Sequence, residues 1–350
     1  MVGTPRATLD WQYNGMRTLI LENELVRVVS LLDKGSDIIE LVFKPLDIDV
    51  MWHSPVGHRN PKSFTPSISA DGTAFLDVYG GGWQDLLPVI GRGPTIHHGA
   101  TFGLHGETGL ISWDVRGVEE NAEEASVTVG VSGIRFPYKV TKKLTVRRDE
   151  AKLYVSETLT NTSRETLEFF WLQHPAYGGP FLAPGCRIDL PEGTVVYPLE
   201  EINPNGRLGG QATKWPKSTT RKGEEVDLSL IPPRNLVAEE TTFLKLRKPW
   251  YSIANSRLGL GIALRWDAKV HPWLWFWQNY NQKGYPWFGE AWNVALEPSS
   301  SFPDTTEEML KARSYLRLKG MESLESKICL SFHGGRRKVR FVNGDGRVEY

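Results

Sequence analysis

Three ionisable side chains sit where a strand-rich chain passes from strand to loop. His105 lies in FGLHGETGLISW, between Gly103 and Gly106. His174 ends the run LEFFWLQH just before Pro175, and Glu297 ends VALE just before Pro298. Strand-to-loop junctions are where a rigid β-scaffold presents functional groups. A carboxylate and an imidazole can both be tuned toward neutral pH by burial and neighbours, so the set suits general acid–base proton transfer. Each residue taken alone also reads as a turn residue making local hydrogen bonds.

Other chemistries find less support. His97 and His98 are adjacent, so on a strand they would face opposite sides, and no HxH or HExxH spacing occurs. No catalytic metal is expected. There is no GxSxG elbow. The glycine clusters Gly80-Gly81-Gly82 and Gly91-Arg92-Gly93 are not followed by a helical pattern, so no dinucleotide cofactor is expected. Cys186 and Cys329 are the only cysteines, which gives neither a disulfide framework nor a Cys-based zinc site.

The elements that would position these groups read as strands. Val270 to Asp304 holds five of the 13 Trp, and reads as a strand from His271 to Tyr280, a Gly/Pro/Asn loop, and a strand from Ala291 to Glu297. Alternation puts Trp292, Val294 and Leu296 on one face of the second strand and Asn293, Ala295 and Glu297 on the other. Trp273, Trp275 and Trp277 share a face of the first, as sheet packing or as a stacking surface for a flat ligand. Gln278 is the only polar side chain between Pro272 and Asn279. If buried it needs a partner, so it is a candidate substrate contact.

Elsewhere, residues 18–32 read as two strands turning at Glu22–Glu24, with strands over 33–42 and 47–52. Residues 54–66 form a Pro-rich loop, and Val78 to Gly93, around Trp83, Gln84 and Asp85, an irregular functional loop. Strands follow over 110–115, 125–131, 138–147 and 151–161, the last two alternating like half-solvated meander strands. Leu167 to His174 is apolar on both faces and should be one central strand. Residues 184–235 are a polar excursion. Further strands are expected over 242–247, 251–266, 324–332 and 338–342. Only Thr305 to Ser314 looks helical, with Thr305 and Glu308 as a capping box. So many strands and so little helix predict an all-β fold, a large antiparallel β-sandwich forming a single domain over 1–350.

Composition narrows the partners. The 350 residues carry 41 basic and 41 acidic side chains, which argues against nucleic acid. No apolar run is long enough for a transmembrane helix, and the N-terminus lacks a signal-like apolar segment. A soluble cytoplasmic monomer or homodimer is expected. Thirteen Trp, 34 Gly and 22 Pro suit a turn-rich β-protein that binds flat, amphipathic ligands such as sugar rings.

Three motifs in order resemble the galactose mutarotase (aldose 1-epimerase) superfamily. They are His105-Gly106 followed by Trp113; Asn161-Thr162-Ser163, an apolar strand, then His174-Pro175-Ala176-Tyr177; and Ala295-Leu296-Glu297-Pro298. The resemblance implies a small-molecule sugar substrate, no cofactor, and a galactose mutarotase-like supersandwich. It also implies roles. Glu297 would be the base taking the anomeric hydroxyl proton, His174 the acid protonating the ring oxygen, and His105 a hydrogen bond on the ring-oxygen side. Gln278, Trp83, Asp85, Glu107, Tyr177 and Trp277 are further candidate sugar contacts. The sequence departs from the family's HG-[FY]-x-R motif: Glu107 and Gly109 follow the His and no Arg appears. Arg59, Lys62 or Arg92 could supply that cation from nearby loops. Two other readings stay open: a non-catalytic sugar-binding protein, and a lyase or hydrolase on the same fold.

Overall fold

A computed structural model describes residues 4–63, 74–199 and 206–350. Two antiparallel sheets face each other. Among the described residues the larger has 13 strands. Its central part runs, neighbour to neighbour, Asp37–Phe43, Trp83–Leu86, Leu172–Tyr177, Trp292–Ser299, Trp273–Tyr280 and Ala238–Lys245. The smaller has eight strands. It starts from the meander Asp114–Glu120, Glu124–Ser132, Tyr138–Arg147 and Lys152–Asn161, and continues through Ser323–Gly334, Leu260–Trp266, Trp250–Asn255 and Arg187–Asp189.

Alternation explains the layering. Leu274, Phe276 and Leu296 from the larger sheet and Val127, Leu144, Val155 and Leu330 from the smaller belong to one buried apolar cluster. Residues one step along each strand point the other way. In the larger sheet that other face carries Trp275, Trp277 and Glu297.

The core also holds a polar network. Lys142, the exception in its strand's alternation, is buried. Its Nζ donates to Asp85 Oδ2 at 2.8 Å and to the Ser36 carbonyl at 3.0 Å. Gln173 Nε2 donates to Asp85 Oδ1 at 2.5 Å and to Glu157 Oε2 at 2.9 Å. Burial works against charge on Asp85, but Lys142, Glu157 and Gln173 outweigh it and hold that carboxyl low. Burial, reinforced by Asp85, pushes Glu157 well up. The two carboxyls therefore hold one charge between them, opposite one lysine. Trp113 of the His105–Trp113 motif lies under the Lys142 ammonium, 4.7 Å from ring centre to Nζ.

Several expected boundaries shift. Val78 to Gly93 is not all loop, since Trp83–Leu86 is a strand of the large sheet. Its residues run apolar, polar, polar, apolar and are buried on both faces, which defeats a reading by alternation. Leu167 to His174 is not one strand. Leu167–Phe169 pairs with Leu316–Leu318, and Leu172–Tyr177 enters the large sheet. Residues 108–110 form a 3-10 turn and the following strand is Asp114–Glu120. The 184–235 excursion contains short strands, including the pair Lys217–Thr219 and Glu225–Asp227. Of the expected loops, residues 64–66 and 200–205 lie outside the described residues. The helix Thr306–Lys311 has the expected capping box between Thr305 and Glu308. No helix among the described residues is long and apolar enough to cross a membrane.

Candidate active site

Register brings the carboxylate and one imidazole together. Leu172 pairs with Ser299 and Ala176 with Ala295, so His174 falls opposite Glu297 on neighbouring strands. The two side chains point to the same face, and His174 Nε2 lies 3.5 Å from Glu297 Oε1. The next strand adds indoles: Trp275 is opposite Glu297, and Trp277 is opposite Ala295. One strand further, Thr241 is opposite Trp277 and Glu239 is opposite Asn279.

His105 arrives from a loop. Its backbone is left-handed at φ 64°, followed by Gly106 at φ 73°. A Cβ on Gly106 would lie 2.2 Å from the Leu87 carbonyl, so only glycine fits there. The turn aims the His105 ring at His174, with ring centres 5.6 Å apart. His105 Nδ1 donates to the Ile90 carbonyl at 2.5 Å. A carbonyl only accepts, so the neutral ring carries its proton on Nδ1 and leaves Nε2 as an acceptor.

These groups line one cavity of about 280 Å³. Phe75, Leu76, Tyr79, Leu104, Trp275, Trp277, Pro286 and Trp287 supply apolar and aromatic wall. Arg92, Glu239, Thr241, Tyr285 and Asp304 add polar groups. Trp277 Nε1 donates to Glu239 Oε1 at 3.0 Å, which fixes the indole plane. Tyr79 OH lies 3.3 Å from His174 Nδ1, and the two rings meet edge to face at 85°. Phe75 stacks on Tyr79 at 24° and meets His105 edge-on.

Burial dominates the electrostatics. It pushes the Glu297 carboxyl well above the usual carboxylate range. It lowers His174 to about 3, with His105 as a smaller contributor, and His105 to about 4. Burial, then Glu297, raises the Tyr79 hydroxyl. The 3.5 Å separation would suit an ion pair, yet desolvation penalises both charges. Burial of both groups favours a neutral carboxylic acid beside a neutral imidazole. One proton is shared by two adjacent groups.

Of the residues singled out from sequence, Glu297, His174, His105, Trp277 and Arg92 line this cavity. The rest lie elsewhere. Gln278 is opposite Val294 and Glu240 on the inward face, where its Oε1 accepts from Tyr280 OH. Trp83 and Asp85 also face inward: Trp83 Nε1 donates to Gln173 Oε1 at 2.7 Å, and Asp85 is in the Lys142 network. The Tyr177 hydroxyl meets Tyr251 OH at 2.6 Å between the sheets. In each case the period of two turns the residue away from Glu297 and His174. Glu107 accepts from the Ile134 and Arg135 amides and anchors that turn. Arg59 donates to the Asp77 carbonyl outside the cavity, and Lys62 pairs with Asp33. Asn161 donates to the carbonyls of Glu165 and Leu318, so that motif builds a turn.

Tyr79, Glu239, Thr241 and Asp304 were not foreseen. Tyr79 sits in the loop marked as functional. Asp304 closes the Trp-rich stretch. Glu239 and Thr241 reach the cavity only through strand pairing, which leaves no local signal.

No curated protein sequence matches the chain. Solved structures do. A candidate aldose 1-epimerase from Klebsiella pneumoniae superposes with a TM-score of 0.73 at 16% identity, covering 95% of this chain and 84% of that one. A galactose mutarotase-like protein from Clostridium acetobutylicum gives 0.65 at 14%, with coverages of 95% and 99%. A galactose mutarotase related enzyme from Lactobacillus acidophilus gives 0.60 at 18%, with coverages of 93% and 100%. At such identities the likeness is one of fold, the galactose mutarotase-like sandwich. A domain family of unknown function, DUF4432, matches residues 13–331. The chain belongs to the DUF4432 family, and it carries the galactose mutarotase-like β-sandwich.

Proposed function

We infer that the protein is a carbohydrate isomerase that interconverts the α and β anomers of an aldose or aldose derivative. The observation that carries this reading is the buried Glu297–His174 pair, 3.5 Å apart, at an aromatic-walled cavity. At about 280 Å³ the cavity sits at the small end of ligand pockets, which run from roughly 300 Å³ upward, and it suits one sugar ring. Trp277 and Trp287 offer flat faces for the ring's C–H side, and the carboxyls accept from its hydroxyls.

The chemistry follows from two oxygens on one carbon. In a cyclic aldose the anomeric hydroxyl and the ring oxygen are both bonded to C1, so adjacent acid and base groups can serve both. Glu297 takes the hydroxyl proton, C1=O forms, the C1–ring oxygen bond breaks, and His174 delivers its proton to the departing oxygen. Rotation about C1–C2 and the reverse transfers close the other anomer. Carboxylate with imidazolium, and carboxylic acid with imidazole, hold the same number of protons. Ring opening converts the first state into the second. Burial of both groups favours the second, the state that accompanies the open-chain aldehyde, while sugar hydroxyls bonded to Glu297 favour the first.

His105 has its proton committed to the Ile90 carbonyl. It would therefore accept from a sugar hydroxyl rather than donate to the ring oxygen. Tyr79 OH, 3.3 Å from His174 Nδ1, can accept from Nδ1–H, which leaves the Nε2 proton of the charged ring directed at the reacting atoms.

Anomer-exchange NMR over a panel of monosaccharides tests the reading. Glu297→Gln should slow exchange of an accepted sugar by about 10²- to 10⁴-fold while the sugar still binds. An unchanged rate would remove Glu297 as the base and favour a sugar-binding role.

A further inference from the structure

We propose that Asp304 is a specificity-determining residue: by pairing with Arg92 it balances the charge of the one cation lining the cavity among the described residues, so sugars carrying an anionic substituent are disfavoured. This rests on the sugar-site reading above.

Arg92 is the only lysine or arginine lining the cavity among the described residues. The undescribed stretches 1–3, 64–73 and 200–205 contain neither residue type. Arg92 Nε is hydrogen-bonded to Asp304 Oδ2. The Asp304 side chain is 6% exposed, while that of Arg92 is 48% exposed and reaches solvent.

The pair is built in by both chain segments. The Asp304 carbonyl approaches Gly91 so closely that a Cβ there would lie 1.7 Å away, so residue 91 must be glycine for the segments to meet. The next residue, Thr305, caps the helix Thr306–Lys311 through its exchange with Glu308. Asp304 is therefore fixed on one side by close backbone packing and on the other by a helix cap.

The other nearby cations are already engaged. Lys34 pairs with Asp37, Lys62 with Asp33, and Arg59 with the Asp77 carbonyl. Across the cavity stand two more carboxyl groups, Glu239 and Glu297. Three carboxyl groups and one guanidinium, bonded through Nε to Asp304, thus line the same cavity. An entering phosphate or carboxylate would be desolvated next to the Asp304 carboxylate, and the charge of the one lining cation is already balanced by that carboxylate. An uncharged sugar presents hydroxyl donors to the same carboxyls and meets no such opposition.

The test uses the full-length protein and reads binding separately from catalysis. Dissociation constants for D-glucose and D-galactose, their 6-phosphates and their uronic acids would come from calorimetry or saturation-transfer NMR, beside anomer exchange on the same set. The wild type should bind the best neutral sugar about tenfold or more tightly than its anionic counterparts. Asp304→Asn frees Arg92 and should move that ratio toward the anionic sugars by about tenfold. Adding Arg92→Gln should cancel the gain, because the gain needs the guanidinium. If Asp304→Asn does not fold, Arg92→Gln alone should keep the neutral preference.

A wild type that prefers the anionic sugars overturns the proposal. So does a folded Asp304→Asn with an unchanged ratio, an Arg92→Gln that loses the preference, or a protein that binds neither set. Neutral-sugar binding without anomer exchange would instead remove the isomerase reading and leave this proposal standing.

Discussion

At the residue scale the decisive object is the His174 ring. One nitrogen faces Glu297 at 3.5 Å and the other faces Tyr79 OH at 3.3 Å. If Tyr79 orients the ring, Tyr79→Phe should lower kcat by about tenfold with little change in KM. It should also shift neutral His174 away from the Nδ1–H tautomer in 15N NMR, a change that loss of packing alone would not produce.

The pH profile follows from the same burial. The active pair holds one proton. A second proton reaches His174 only near its lowered value of about 3, against 6.5 for a free imidazole. The alkaline limit is set by loss of the pair's proton, which burial of Glu297 moves above the usual 4.5. Toward acid, kcat/KM should therefore stay level through pH 6.5 and fall only near 3. An acid limb centred near 6.5 would show that His174 titrates as an exposed imidazole and that this picture of the pair is wrong.

At the scale of elements, the short strand Trp83–Leu86 holds the site in place. It pairs with the His174 strand on one side and touches Asp37–Phe43 on the other. The chain enters it through Gly82 at φ 82°, where a Cβ would sit 2.3 Å from the Ile38 carbonyl. Gly82→Ala strains the backbone and clashes with a neighbouring strand, and should destabilise the fold by about 2–3 kcal/mol in urea titrations. Because His174 sits opposite Gln84 on this strand, anomer exchange should fall in step with any shift of the strand. Wild-type stability in this variant would mean the entry to the strand can relax.

At the scale of the whole molecule, the sheets are joined by apolar contact and by buried polar contacts, among them the Lys142 network. Lys142 reaches from the smaller sheet to Asp85 of the larger. Lys142→Met keeps the chain length but leaves Asp85 and Glu157 without their cation. Removing one partner of a buried pair typically costs about 3–5 kcal/mol, and chemical denaturation should show a loss of that order. A neutral effect would mean that Asp85 simply takes up a proton when Lys142 is gone. The network lies on the opposite face of the sheet from Glu297, so a folded variant should retain sugar binding.

The sequence by itself determined the fold class, because alternation over ten-residue stretches such as Tyr138–Arg147 and Lys152–Asn161 leaves few options. It also marked Glu297, His174 and His105, because chemistry-bearing residues between apolar strands and Gly or Pro stand out locally. Face was harder to read. Gln278, Trp83, Asp85 and Tyr177 are as polar or aromatic as true lining residues, yet strand pairing turns them inward, where Gln173, Tyr251 and Lys142 satisfy three of them. Only tertiary structure decided the partners across strands. Glu239 and Thr241 come to the cavity from more than 50 residues before Glu297, through pairing with the Trp275–Trp277 strand. The physical reason is that a β-sheet assembles its surfaces across strands, by hydrogen bonds between segments distant in sequence. The register that sets His174 against Glu297, and the packing that sets Asp304 against Arg92, exist only once those segments meet.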